Sequence, residues 1–424
     1  TQEVEILTLE DCLRIGIDNN LSLEGKRKEI QRSKYGVSEN RSKLLPQINA
    51  IAGYSNNFDP PVSVTDGSSY GVPYNITQTL QHSANAGLEM QMPLFNQTLY
   101  TSMSIAKVME EISRLSYGKA REDVILQISK MYYLGQVTAE QIMLIKANIT
   151  RLEELRDITQ AFFDNGMSME VDLKRVNINL ENLKVQYDNA QAMMKQQLNM
   201  LKYIMDYPAE KEIALIPVNT DSITTVALTG LSENIYELQL SQSQVQLAER
   251  QKKIITNGYI PSLSLTGSWR YAAYTDKGYH WFHSGPSNQW FRSYGVGLTL
   301  RIPIFDGLDK TYKIKKAMID IENKRLAWED ARKNLQTQYL NAVNDLMNNQ
   351  RNFKKQKDNY LLAEDVYAVT SDRYREGIAS MTEVLQDEMQ MSEAQNNYIS
   401  AHYNYRVTNL MLLKLTGQIE SLVK

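Results

Sequence analysis

The sequence predicts a mixed, mainly α-helical fold in which long coiled-coil-like helical hairpins carry four membrane-crossing β-strands. Three observations predict it. The 424-residue chain repeats one layout twice, an internal two-fold sequence repeat. Each copy holds a proline-free helical pattern, 97–163 in the first and 308–376 in the second. Each copy also holds a pair of segments, about ten residues long, in which apolar residues alternate with polar or small ones.

Composition narrows the class. Glycine (20) and proline (10) form about 7% of the chain, well below the usual share of roughly 12%. The 46 basic and 49 acidic residues leave a net charge of −3, so no nucleic-acid-binding surface is implied. The single cysteine, Cys12, excludes a disulfide within the chain and a cysteine-based zinc cage. Apolar runs are short, Leu410 to Leu413 being typical, so no helix of ~20 apolar residues crosses a bilayer. The sequence starts at Thr1-Gln2 just ahead of a helical pattern, as a processed or a trimmed terminus would.

The repeat is read from ordered landmarks. Leu45-Pro46-Gln47-Ile48 resembles Ile260-Pro261-Ser262-Leu263, and Pro93-Leu94-Phe95-Asn96 resembles Pro303-Ile304-Phe305-Asp306. Asn165-Gly166-Met167-Ser168 matches Glu376-Gly377-Ile378-Ala379. Pro93 to Gly166 is 73 positions and Pro303 to Gly377 is 74; Gly166 to Asp206 and Gly377 to Gly417 are both 40. The predicted organisation is a first repeat over 1–205, a link over 206–230 and a second repeat over 231–424.

In the first repeat a helix over 9–44 precedes a strand pair at 47–57 and 82–93. The long helix 97–163 and a helix over 169–205 follow. Within the long helix, Ile105, Val108, Ile112 and Leu115 step by three or four, as do Ile142, Ile145, Ile149 and Leu152, which is a coiled-coil-like seam. The second repeat reads as a helix in 231–257, strands at 261–273 and 291–303, the long helix 308–376 and a helix over 380–416. At ~1.5 Å per residue each long helix extends ~100 Å, and such a helix is stable only against partners of similar length. The two shorter helices of each repeat, set end to end, supply that length.

The strands carry the membrane argument. Ala84, Ala86, Leu88, Met90 and Met92 alternate with polar or small residues, as do Leu263, Leu265, Gly267, Trp269 and Tyr271, and Tyr294, Val296, Leu298, Leu300 and Ile302. Ile48, Ala50, Ala52 and Tyr54 share a face, although Ile51 interrupts the opposite one. Ten residues tilted near 45° cross ~25 Å of hydrocarbon. An ordinary half-buried sheet would alternate in the same way. Aromatic placement favours the membrane: Trp269, Trp281 and Trp290 fall within 22 residues, together with Tyr271, Tyr274, Tyr279, Phe282, Phe291 and Tyr294. Such side chains gather at membrane interfaces. Four strands cannot close a barrel, since about eight is the smallest usual number, and an open sheet edge is not tolerated in lipid. Two copies supply eight strands and three supply twelve, with the apolar face on lipid and the polar face on a watery lumen.

Enzyme readings lack a constellation. Gly67-Ser68-Ser69-Tyr70-Gly71 fits Gly-x-Ser-x-Gly but lies in a polar loop followed by a strand, whereas a nucleophile elbow needs a strand before it and a helix after it. His280 and His283 have no carboxylate–histidine cluster around them, so no metal or cofactor is expected. Met167, Met169 and Met381 are expected to gather near the glycine turns, where thioethers suit soft metal ions or, more commonly, an adaptable partner groove.

Taken in order, the landmarks resemble those of the TolC-like outer-membrane efflux proteins (outer membrane factors), over essentially the whole chain. The resemblance implies a homotrimer with a 12-stranded transmembrane β-barrel in the Gram-negative outer membrane and a long periplasmic α-barrel. It implies the exit duct of a tripartite efflux pump or type I secretion system, working with a periplasmic adaptor (membrane fusion) protein and an inner-membrane transporter. Loops 58–80 and 274–290 are then extracellular, Pro93 and Pro303 mark the barrel-to-helix junction, and 206–230 lies in an equatorial belt. Tyr54, Trp269, Tyr271, Trp290, Phe291 and Tyr294 become interface aromatics. The tip that receives the adaptor is Asn165, Gly166, Met167 and Ser168 with Glu376, Gly377, Ile378 and Ala379. Both copies place a polar residue before the glycine, where the family has an apolar one. The family's acidic pore rings match Glu383 and Gln386, the latter without charge, with Asp387 beside it and Asp172 in the first repeat. The rival class is a non-membrane scaffold of helical hairpins.

Overall fold

A computed structural model describes residues 4–78, 80–217, 230–275 and 290–423. In chain order the elements are β1 (Glu5–Leu7), α1 (Leu9–Asn19), α2 (Leu21–Ser42), β2 (Gln47–Asn56), β3 (Val62–Asp66), β4 (Tyr74–Gln78) and β5 (His82–Phe95). The long helix α3 (Gln97–Asp164), α4 (Glu170–Met205) and β6 (Ile213–Leu215) follow. The remainder is α5 (Tyr236–Asn257), β7 (Ser262–Thr275), β8 (Trp290–Arg301), the second long helix α6 (Asp309–Arg375) and α7 (Met381–Leu415). The chain is mainly helical.

The structure differs from the sequence reading in three places, the first two with local causes. The helix expected over 9–44 is two helices. Asn20 leaves helical geometry (φ −55°, ψ 119°); its Oδ1 accepts the Leu23 N–H at 3.1 Å and its Nδ2 donates to the Ile204 carbonyl at 2.7 Å. An asparagine side chain that bonds nearby backbone competes with the helix and starts a new one. Strand β5 continues through Pro93 to Phe95, with a register irregularity between those residues; a bulge is where a sheet accepts proline, which has no N–H to donate. Within 58–80 the chain forms an antiparallel hairpin, β3 with β4.

Contacts divide the chain into two compact units that each draw on both sequence halves. One contains residues 31–111 and 243–325 and holds an antiparallel sheet ordered β2-β5-β7-β8. The other contains residues 1–30, 112–242 and 326–424. Its largest core gathers Leu13, Ile125, Ile128, Leu201 and Met205 beside the parallel pair β1–β6. A second core joins Leu152 and Leu155 of α3, Leu180 of α4, Tyr374 of α6 and Val384 of α7.

The repeating landmarks have a physical reading. Asn96 Oδ1 accepts the Thr98 N–H at 3.1 Å, and Asp306 Oδ2 accepts the Lys310 N–H at 3.3 Å. Each fourth residue of the Pro-apolar-Phe-Asn/Asp motif thus satisfies an orphan donor at the start of a long helix. The four positions spaced by 40 all have left-handed backbone: Gly166 (φ 69°), Asp206 (φ 51°), Gly377 (φ 73°) and Gly417 (φ 71°).

Candidate functional site

The sheet is read through its register. One row across the four strands is Ile48, Met90, Gly267 and Val296; the next is Ala50, Leu88, Trp269 and Tyr294. Then come Ala52, Ala86, Tyr271 and Arg292, followed by Tyr54, Ala84, Ala273 and Trp290. Because side chains alternate across a strand, these rows form one face, aliphatic toward the helices and aromatic toward the far end. Tyr54 stacks on His82 and its hydroxyl lies 2.8 Å from Nδ1. Trp269 meets Tyr271 edge-on at 5.6 Å.

The opposite face carries Asn49, Glu89, Ser268 and Gly295 in one row and Gln47, Gln91, Thr266 and Gly297 in another. Arg270 and Glu89 form an ion pair there. Phe291 pairs with Ala272 on this polar face, so it does not join the aromatics of the apolar face. Parity decides this: Phe291 is one residue from Trp290 and therefore points the other way. Trp281, Tyr279, Phe282, His280 and His283 lie outside the described residues, as do 218–229 of the link. Strands β2 and β8 are the outer strands of the sheet, and along β8 every residue is exposed.

The sequence reading missed apolar side chains at the helix end of the sheet. Phe95 pairs with Leu263 on the apolar face. Ile304 is 94% exposed and Phe305 81%. The repeated Pro-apolar-Phe motif was the available signal, and it was read only as a junction.

The two glycine turns have the same construction. The Gly166 N–H donates to the Phe163 carbonyl at 2.9 Å and the Met167 N–H to Phe162 at 2.7 Å; Gly377 donates to Tyr374 at 2.9 Å and Ile378 to Arg373 at 2.8 Å. This is the Schellman closure, and its left-handed residue is usually glycine. Asn165, Gly166, Met167, Glu376, Gly377 and Ile378 are exposed, while Ser168 and Ala379 are half-buried. Both turns adjoin one core, because Val176 after the first and Met381 after the second belong to the same cluster. Arg175 donates to Thr382 Oγ1 at 3.3 Å between α4 and α7. Met167 and Met169 are exposed but Met381 is buried, so the three thioethers do not gather on one surface.

The acidic candidates divide by local role. Glu383 closes a capping box: its carboxylate accepts the Ser380 N–H at 2.7 Å and the Ser380 hydroxyl at 3.0 Å, while the Glu383 N–H donates to Ser380 Oγ at 3.3 Å. These bonds hold the Glu383 carboxyl below the usual range, Ser380 backbone first and Arg373 adding to it. Asp172 faces Arg175 at 3.3 Å. Gln386 is exposed and Asp387 half-buried. Glu388, which the sequence reading passed over, is buried on the same helix, and burial raises its pKa. Among the described residues no group of three or more His, Cys, Asp and Glu could hold a metal ion.

Comparison with known proteins places this geometry. The profile of the family described as "Outer membrane efflux protein" matches residues 15–205 and 227–418. The outer membrane protein TolC of Vibrio cholerae serotype O1 is 21% identical over 399 residues, covering 90% of this chain and 84% of that protein. The probable efflux pump outer membrane protein TtgC of Pseudomonas putida is 23% identical over 431 residues, covering 96% and 82%. Among solved structures, CusC superposes with a TM-score of 0.80 at 16% identity, covering 96% of this chain and 91% of that one.

Proposed function

The chain belongs to the outer membrane efflux protein family, and on that footing we propose that three copies close a single duct. The protein is an outer-membrane efflux channel of the Gram-negative envelope with a long periplasmic helical part, and it is not an enzyme. The sheet supports closure by several copies, and the likeness to the family selects three. Four strands per chain present a face of aliphatic and aromatic rows, with the Arg292 guanidinium lying over the Tyr294 ring among the aromatics, and β2 and β8 stand at its two edges. Lipid offers no partner for their backbone groups. Pairing β8 of one copy with β2 of the next removes every edge, and three copies give 12 strands. The polar rows with Glu89 and Arg270 then line a lumen. A soluble scaffold leaves the aromatic and aliphatic rows without an occupant and is not favoured.

The glycine turns form the periplasmic tip. Their exposed Met167 and Ile378 offer apolar contacts to a periplasmic adaptor, with an inner-membrane transporter behind it, in a tripartite pump or a type I secretion system. Docking opens the tip only by binding the open arrangement better than the closed one. Asp172, Glu383 and Asp387, repeated three times, place a cation-attracting ring near the entrance, since clustered carboxylates favour cations. Reconstitution into planar bilayers tests the duct: stepwise, cation-preferring conductance is expected, and a protein that inserts without conducting contradicts it.

A further inference from the structure

We infer that Arg292, on the membrane-facing side of the sheet, binds the phosphate of an anionic lipid in the outer leaflet. The inference deepens the channel reading and rests on its assignment of the aliphatic and aromatic rows to lipid. Arg292 shares a row with Ala52, Ala86 and Tyr271, between the row of Tyr294 and the row of Trp290. Among the described residues it is the one lysine, arginine or carboxylate on that face of the four strands. Glu89, the one carboxylate of those strands, stands on the opposite face and is paired with Arg270. In the closed ring the strand beside β8 is β2 of the next copy. Strand β2 brings Ile48, Ala50, Ala52 and Tyr54 to this face, so it supplies no counter-charge.

A guanidinium does not shed its proton, and an uncompensated charge facing hydrocarbon is costly. Height limits that cost here. Arg292 lies eight positions along β8 from Leu300, which pairs with Leu263 near the helix end of the sheet. At ~3.3 Å per residue and a tilt near ~40°, it stands ~20 Å above that row in an apolar band ~25 Å tall. Its side chain therefore reaches the outer interface, toward which long basic side chains extend their charged ends. Trp290, the next residue outward on the same face, belongs to the kind of side chain that marks such an interface. The Arg292 guanidinium carbon lies 5.7 Å from the centroid of the Tyr294 ring, a cation–π contact that holds it against the sheet. That contact uses a face of the guanidinium and leaves the N–H edges free to donate. The planar fork of donors matches two phosphate oxygens at once, and anionic lipids present phosphate in the headgroup region.

The test titrates the full-length assembled protein, in a neutral detergent, with lipid A carrying both phosphates and with the same lipid dephosphorylated. Bound lipid is read by native mass spectrometry. The wild type is expected to prefer the phosphorylated lipid about tenfold. Arg292→Gln loses that preference, and Arg292→Lys, which keeps the charge without the fork, retains part of it. Inorganic phosphate at the same concentration leaves the lipid bound; displacement by it would overturn the assignment to a lipid. Equal binding of the two lipids by the wild type, as for an arginine that only reaches water, overturns the inference. So does a preference that persists in Arg292→Gln or, should that variant fail to assemble, one that is undiminished in Arg292→Lys. Lipids brominated in their acyl chains test the underlying reading separately. They are expected to quench a fluorescence component that is absent from Trp269→Phe, with or without Arg292. Absence of quenching overturns the lipid-facing assignment, whereas quenching without a phosphate preference overturns only the role of Arg292.

Discussion

Replacing Gly377 isolates one quantity, the left-handed backbone that closes α6. A Cβ added at Gly377 or at Gly166 meets no heavy atom within 4 Å, so no packing change accompanies the substitution. What remains is the conformational penalty of holding a side chain at φ 73° or 69°. For alanine it is about 1–2 kcal/mol, and it is smaller for asparagine, whose side chain tolerates this region. The chain already accepts a short polar residue there, since Asp206 closes α4 at φ 51°. Gly377→Asn is therefore expected to leave the melting temperature of the detergent-extracted particle near the wild-type value. Gly377→Ala lowers it modestly. Gly377→Val, with a branched side chain in a region such residues rarely enter, lowers it most and distorts the turn. Circular dichroism melts measure stability, and cross-linking to the adaptor with export in cells measures docking. Asparagine destabilising as much as valine would refute the backbone argument. Normal export by a folded Gly377→Val variant would refute the docking role of the turn.

Four further outcomes follow from named side chains. Glu122 is 5% exposed, and burial raises its pKa from the ordinary 4.5 to about 7, with Lys414 opposing and Glu420 adding to the shift. A carboxyl raised on folding contributes stability that is complete below pH 4.5 and is lost as pH rises through about 7, worth about 3 kcal/mol at most. Glu122→Gln should therefore raise the melting temperature at pH 8 far more than at pH 5, and parallel profiles would contradict this. Glu383→Gln with Asp387→Asn should reduce cation selectivity in bilayers; unchanged reversal potentials would remove both from the entrance ring. Glu383→Ala additionally removes the carboxylate that accepts the Ser380 N–H and hydroxyl, while the backbone bond to Ser380 Oγ stays, and should cost about 1 kcal/mol of stability at most. Arg270→Ala leaves Glu89 unpaired on the polar face and should increase cation preference, an effect absent if that face meets lipid.

What could be read from the sequence was whatever depends on short-range periodicity. Alternation in 84–92 and 262–271 identified the faces of β5 and β7, because side-chain direction in a strand depends only on parity. The glycine turns were legible because left-handed backbone selects glycine. The break at Asn20 was not, since half of its bonding comes from the Ile204 carbonyl, 184 residues away. Phe291 was grouped with its aromatic neighbours by proximity, although parity alone places it opposite Trp290. Glu383 could have been recognised as the far end of a capping box from Ser380-Met381-Thr382-Glu383. Reading it through the resemblance drew attention to the pore and away from the helix end. The burial of Glu388, Gln395, His402 and Asn409 along α7 escaped because apolar seams were sought, and such residues at seven-residue steps look like a solvated face until burial is known.

The measurement that bears most directly on the central proposal is the mass of the particle extracted by detergent from the outer-membrane fraction. Three chains of 48.7 kDa predict a protein mass of about 146 kDa, stable only with surfactant present. A monodisperse 48.7 kDa species recovered from the aqueous fraction without detergent would contradict it.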